Sequence, residues 1–381
     1  MTMDKNSAEV IGLIEKVKKF IAEGDKLPKY EREKAFNNLC VACFRVQAEN
    51  IPGYARLCAQ KKVDIDGVSD FLQIPPVPVQ AFKTSDIFIY SKDEIHKTFK
   101  TSGTSKSSQG LAYFSAAGSE ITSLAIVKNA RAYLFPDNLD TKFFLIAPSP
   151  EAAPNLTMAY GITEVMKNVG TYGGRHYIGK EGIDWRSLFS DLKECVEKNI
   201  AATIIAPSFA IVFMLDKMAA ENIRFKLPEG SRILDAGGFK GKSREISRDE
   251  MIKTAAELLG VVPGYCVNAL GMSELGTQYY DNNLKNLIEG AESPVAKENP
   301  HWAKTFVVDI EDDFKIIAPE TYGKTGALLH FDLTNIDRAV AILTDDSGRY
   351  AGSGFEICGR LSPDDMKGCS LTVEEMLLKR P

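Results

Sequence analysis

From Ala8 to about Gln60 the apolar residues return every three or four positions: Val10, Ile11, Ile14, Val17, Phe20 and Ile21, then Leu39, Cys43, Phe44 and Val46. That spacing lays them along helix faces and predicts a helical N-terminal layer over residues 1–72. The pattern breaks at Gln73–Phe82, where Pro75, Pro76 and Pro78 can neither continue a helix nor donate within a central strand. This stretch is expected to be a rigid extended connector leading to Ser85–Tyr90. Beyond it, short apolar runs at Phe143–Ala147, Ala202–Ala206, Arg232–Ala236 and Gly264–Leu270 alternate with helix-patterned stretches such as Asp184–Lys198 and Ser247–Leu259. Such alternation predicts an α/β fold with a largely parallel sheet, covering residues 73–300. Thr305–Ile310, Phe314–Ile317, Gly326–Phe331 and Arg338–Thr344 read as short strands with turn residues between them, a β-rich subdomain over 301–360. Residues 361–381 form a short tail.

Composition narrows the class. The chain has 381 residues, 44% hydrophobic and 25% charged, which suits a packed globular core. With 46 basic and 51 acidic side chains the net charge is −5, and no Lys/Arg run is long enough to track a phosphate backbone, so nucleic acid is not an expected partner. No stretch of about 18 uncharged apolar residues occurs, so no membrane span is expected, and the N-terminus lacks the basic and apolar regions of a secretory signal. The seven cysteines are scattered and odd in number, and read as reduced thiols of a cytoplasmic protein. Cys40 and Cys43 form a C-x-x-C pair inside a helical pattern without a second pair at zinc spacing; buried helix-face thiols are the plain reading.

The densest chemical signal is Lys100-Thr101-Ser102-Gly103-Thr104-Ser105-Lys106-Ser107-Ser108-Gln109-Gly110. Small residues let backbone approach phosphate oxygens, N–H and hydroxyl groups donate to them, and Lys106 can neutralise charge. It is neither a Walker A loop nor G-x-G-x-x-G, and taken alone such a cluster is more often a flexible linker than a nucleotide loop. None of His96, His176, His301 and His330 stands in a nucleophile motif, and there is no G-x-S-x-G elbow, so a hydrolase lacks its parts.

Thr101-Ser102-Gly103-Thr104-Ser105, Ala206-Pro207-Ser208, Asp235-Ala236-Gly237-Gly238-Phe239-Lys240 and Asn268-Ala269-Leu270-Gly271-Met272-Ser273-Glu274 together resemble, in order and spacing, the motifs of the adenylate-forming superfamily. Leu343-Thr344-Asp345-Asp346, Phe355–Arg360 and Lys367-Gly368-Cys369-Ser370 bring the resemblance closest to its acyl-protein synthetase (LuxE-type) branch. That branch is the fatty-acid-activating component of bacterial luminescence reductase systems. The resemblance implies ATP and Mg²⁺ as cofactors. It implies that Thr101, Ser102, Gly103, Thr104 and Ser105 hold phosphates and that Gly237, Gly238 and Phe239 meet the adenine. Ser273 would touch the α-phosphate and Glu274 would hold Mg²⁺, carboxylate oxygen being the hard ligand that ion prefers. Asp332 would hold the ribose, and Arg360 would tend ribose and phosphates. Many family members have Gly-Glu where this chain has Gly238-Phe239. Asp345 and Asp346 receive no chemical role; a turn before Gly348 explains them equally well.

The sequence runs only a short way past Arg360, whereas the superfamily continues into a mobile domain with a catalytic lysine, so a truncated C-terminal domain is expected. The tail offers one thiol, Cys369, with Lys367 beside it to favour the thiolate and Gly368 as a pivot. A surface cysteine before a short amphipathic helix is the alternative. The expected activity is ligation of a carboxylic acid, by resemblance a long-chain fatty acid, through acyl-AMP to Cys369, for hand-over to an acyl-accepting reductase. One rival is an acid–CoA ligase or aryl-acid adenylating enzyme of the phenylacetate–CoA ligase type. Another is a non-catalytic scaffold subunit of a reductase complex. Homo-oligomerisation is left open.

Overall fold

In the computed structural model the described residues are 8–101, 110–237, 244, 246–312, 314–321, 323–362 and 376. The chain divides into two compact units. One comprises Met1–Ala125, Met272–Thr277 and Glu298–Pro381; the other comprises Ile126–Gly271 and Gln278–Lys297.

The first unit opens with three helices, α1 (Ala8–Glu23), α2 (Lys29–Asn50) and α3 (Pro52–Gln60), which is the helical layer the periodicity predicts. Val10, Leu13, Val17, Phe20 and Ile21 form the buried stripe of α1. Cys40 and Cys43 both lie buried on α2, as free thiols. The proline segment contributes a two-residue strand, Val77–Pro78, at the edge of a six-stranded sheet. An edge is where a residue without an N–H fits. The sheet order is Val77–Pro78, Ala341–Ala351, Gly326–Asp332, Ala303–Asp309, Lys315–Ile316, and Gly354–Arg360 pairs with Ala341–Ala351. Only the Val77–Pro78 pairing is parallel, with Val77 opposite Ile342 and Pro78 opposite Leu343. Helix α2 is fixed near this sheet by Gln47, fully buried, whose side chain donates to the carbonyls of Asn335 and Ile336 and accepts from the N–H of Val340.

The second unit holds the α/β layers. Its sheet runs Tyr279–Tyr280, Cys266–Leu270, Arg232–Ala236, Ala202–Pro207, Lys142–Leu145, Gly174–His176. All neighbours are parallel except the Tyr279–Tyr280 edge. Four of these strands and the helices Trp185–Lys198 and Arg248–Leu259 coincide with the apolar runs and helical stretches of the sequence. Both helices begin as capping chemistry demands: the Asp184 carboxylate accepts from Ser187 N–H, and the Ser247 hydroxyl from Glu250 N–H. The core is built from side chains such as Phe144, Ile204, Ile211, Leu215 and Leu259, all fully buried. Among the described residues no helix is long and apolar enough to cross a membrane.

Candidate active site

The Ser/Gly loop leaves and re-enters the fold through an antiparallel hairpin, Lys97–Lys100 with Leu111–Phe114, in which Lys100 faces Leu111. Its base is closed by Thr101. The Thr101 N–H donates to the Gly110 carbonyl at 2.9 Å, and the Gly110 N–H donates to Thr101 Oγ1 at 3.0 Å. Gly110 is required there, because a Cβ would sit 2.7 Å from the Phe82 carbonyl oxygen. Ser102, Gly103, Thr104, Ser105 and Lys106 lie outside the described residues.

Ser273 comes directly against this base: its hydroxyl donates to the Lys100 carbonyl at 2.8 Å. Glu274 follows, with 7% of its surface exposed. Its backbone is held by Asn335, whose amide donates to the Glu274 carbonyl at 2.9 Å and accepts from Gly276 N–H at 3.1 Å. Burial is the main reason the Glu274 carboxyl is pushed up to about 7; Asp345 and Asp346 raise it further and Arg360 opposes them. Three carboxyl groups and one guanidinium thus feel one another within the first unit. Asp345 and Asp346 are themselves pushed upward, chiefly by burial, with Arg360 acting against the rise in both and Lys83 in Asp345. Gln80 donates to the Asp345 carboxylate. Among the described residues no group of three or more His, Cys, Asp and Glu is gathered tightly enough to cage a metal ion unaided.

Asp332, expected at the ribose, ends the strand Gly326–Asp332. It is fully buried. Its oxygens accept from Thr277 N–H at 3.0 Å, Thr277 Oγ1 at 2.8 Å, Thr334 N–H at 2.9 Å and Thr334 Oγ1 at 2.7 Å. These four bonds pin the turn Leu333–Asn335 to the segment that carries Glu274. The two aspartates to which sequence reasoning gave no role are the ones beside Glu274 and Arg360. Gln80, Lys83 and Asn335 were not singled out from sequence at all. The signal for Gln80 was faint: it follows the edge strand Val77–Pro78, whose parallel pairing beside Leu343 leads it towards Asp345, and that pairing is long-range.

In the second unit Gly237 ends its strand with φ +71°, and a Cβ there would meet nothing within 4 Å, so glycine serves the turn and not a packing limit. Ser208 holds this turn: its hydroxyl lies 2.7 Å from the Gly237 carbonyl and 2.9 Å from Asp235 Oδ2. Asp235 also receives Arg248 Nη1 at 2.5 Å and Asn268 Nδ2 at 2.8 Å. Gly238 and Phe239 lie outside the described residues, and so does Cys369.

The family model of the acyl-protein synthetase LuxE matches residues 2–378. The chain belongs to the LuxE acyl-protein synthetase family. Among curated relatives, the long-chain-fatty-acid–luciferin-component ligase of Vibrio harveyi is 21% identical over 359 residues, covering 91% of this chain and 89% of the relative. The ligase of the same name from Aliivibrio fischeri is 21% identical over 343 residues, covering 86% and 84%. Among solved structures, 2-hydroxyisobutyryl-CoA ligase in an open conformation with 2-HIB-AMP and CoA aligns with a TM-score of 0.65 at 12% identity, covering 88% of this chain and 71% of that one. Its postadenylation state with R3-HIB-AMP gives 0.65 at 13% identity, covering 89% and 70%. These structures establish that this LuxE-family chain has the adenylate-forming α/β fold, as its motifs imply.

Proposed function

We propose that this LuxE-family chain activates a long-chain fatty acid with ATP and then carries the acyl group on Cys369. A carboxylate oxygen attacks the α-phosphorus; the new O–P bond forms as the bond to pyrophosphate breaks, and pyrophosphate leaves. The Cys369 thiolate then attacks the acyl carbon, forming a C–S bond as the C–O bond to AMP breaks. Lys367 beside it favours the thiolate.

The observation that carries this reading is the Ser273–Lys100 hydrogen bond, because it brings the base of the Ser/Gly loop against the segment bearing Glu274. In this reading Thr101 to Lys106 cradle the β- and γ-phosphates and Ser273 meets the α-phosphate; the family resemblance by itself gives Gly237, Gly238 and Phe239 to the adenine. Arg360 and Asp346 take the ribose, since the Asp332 carboxylate already accepts four hydrogen bonds within the fold. The donor set suits Mg²⁺: Glu274 offers a hard carboxylate oxygen in a buried setting short of positive charge. Mg²⁺ commonly relies on one or two protein carboxylates, with phosphate oxygens and water completing its shell. When bound it would supply charge neutralisation to the phosphates. The names of the two curated relatives support the fatty acid as substrate. A cytoplasmic enzyme that passes its acyl group to a reductase is the setting that fits.

Radiolabelled fatty acid with ATP and Mg²⁺ tests the reading. Label retained on denatured protein and lost in Cys369→Ala supports it. Label appearing only in acyl-CoA favours an acid–CoA ligase, and absence of acid-dependent pyrophosphate release across fatty, aryl and amino acids overturns activation altogether.

A further inference from the structure

The buried turn after Gly326–Asp332 leads to a cation inside the first unit. Arg338 is fully buried; its Nη1 donates to Asp337 Oδ1 at 2.8 Å and its Nη2 to Asn335 Oδ1 at 2.6 Å. The guanidinium carbon lies 3.6 Å from the centre of the Phe114 ring. Asp337, also fully buried, turns its other oxygen to the end of Leu111–Phe114, the strand by which the chain returns from the Ser/Gly loop. Asp337 Oδ2 accepts from Ser115 N–H at 2.8 Å and from the Ser115 hydroxyl at 2.9 Å. Gly118 leaves room for it, since a Cβ there would collide with that oxygen. Asn335 closes the series on the far side, donating to the Glu274 carbonyl and accepting from Gly276 N–H.

Ser273 ties the Glu274 segment to Lys100, on the outgoing strand of the hairpin. The series Ser115, Asp337, Arg338 and Asn335 ties the same segment to the returning strand. A buried ion pair is a poor device for stability alone, because apolar side chains of similar volume hold a core at least as well. What the pair supplies is direction: a guanidinium is planar, and its donors diverge at fixed angles. We propose that Asn335, Asp337 and Arg338 are positioning residues that hold the Ser/Gly-loop hairpin and the Glu274 carboxylate at a set separation. The inference rests on the reading of those two elements as the ATP site. In-line attack on the α-phosphorus tolerates little misplacement, and an error of about 1 Å costs on the order of 100-fold in rate.

Arg338→Lys tests this in the full chain, because an ammonium keeps the charge but cannot span Asp337 and Asn335 with the same geometry. Acid-dependent pyrophosphate release should fall about 10- to 100-fold in kcat, with the KM for fatty acid within about two-fold of the parent. Amide hydrogen exchange should quicken about 10-fold in peptides covering 272–277 and 111–118, and stay at the parent rate in the second-unit strands Ala202–Pro207 and Arg232–Ala236. Exchange that quickens throughout the chain, or kcat and exchange both equal to the parent's, would overturn the proposal. Ser115→Ala is a milder break that leaves the Ser115 N–H in place, and it decides the matter if Arg338→Lys does not fold. Its kcat should fall roughly 3-fold, the worth of one weak hydrogen bond, and a parent-like kcat would count against the tie. If the parent itself releases no pyrophosphate, the reading of the site fails, whereas the exchange comparison still decides whether these residues hold the two segments together.

Discussion

Arg360 and Asp346 stand opposite one another on neighbouring strands, with Arg360 Nε 3.7 Å from Asp346 Oδ1. Asp346 is nearly buried while the Arg360 side chain is 57% exposed, so the pair presents a cation at the surface and an acceptor beneath it. Vicinal hydroxyls can donate to such a carboxylate. Asp346→Asn is expected to raise the KM for ATP at least 10-fold, with kcat changing less and the melting temperature within a few degrees of the parent. A KM equal to the parent's would remove Asp346 from the nucleotide site.

Asp332→Asn should behave in the opposite way. The amide replaces one acceptor by a donor that faces Thr277 and Thr334 donors in a fully buried site. A stability loss of about 2–4 kcal/mol is expected by denaturant unfolding. ATP affinity of the remaining folded protein should stay near the parent value.

Gly276 sits two residues after Glu274, and a Cβ there would lie 2.5 Å from Thr334 Oγ1 and 2.7 Å from Thr122 Oγ1. Gly276→Ala must displace the Glu274 segment or both threonines. Overpacking of this kind costs about 1–3 kcal/mol. Acid-dependent pyrophosphate release should fall more steeply than stability, and Gly276→Ala activity equal to the parent's would show that Glu274 tolerates being moved.

Ser208→Ala removes the hydroxyl that reaches both the Gly237 carbonyl and Asp235. The expected loss is about 1–3 kcal/mol of stability. The KM for ATP should rise with it, and Ser208→Thr should recover most of both. Titration of ATP into each variant by calorimetry separates the two effects.

His330 supplies a pH signature independent of ligands. It is fully buried, and burial pushes its pKa from 6.5 down to about 3. The unfolded chain therefore binds the extra proton between those values while the folded chain does not, so this contribution is complete above pH 6.5 and is lost as pH falls through the window. Its size over the whole window is on the order of 5 kcal/mol. Unfolding of parent and His330→Gln at pH 4 and pH 7 should show a steeper acid loss in the parent; parallel losses would show that His330 titrates normally.

Much of this architecture was legible in the chain's periodicity. The runs at Ala202–Ala206 and Arg232–Ala236 became central parallel strands because both their faces are covered, which buries nearly every position, Thr203, Arg232 and Asp235 included. The strand Gly354–Arg360 was read only as a motif: its burial is lopsided, with only Gly354 and Phe355 buried, so no alternation marks it. In the site, Ser273-Glu274 and Thr101 were legible as motif residues, and their juxtaposition follows from one side chain bonding to Lys100. In sequence an aspartate at the end of a buried strand, such as Asp332, looks the same whether it faces a ligand or caps a turn. The difference lies in Thr277 and Thr334, donors that only the folded chain assembles. Asn335 and Gln80 act through long-range contacts, which leave no local trace in sequence.

The thiols inside the fold bear on fidelity. An acyl adenylate will react with whichever sulfur is accessible and ionised. Cys40, Cys43, Cys58, Cys195 and Cys266 are buried. Burial raises the pKa of every one of them, to about 12 at Cys43, Cys58 and Cys266. At pH 8 a thiol of that kind is ionised about once in ten thousand molecules. The fold thus withdraws these five thiols from the reaction, so that among the described cysteines only the exposed Cys358 is left to compete for an acyl group activated on this scaffold.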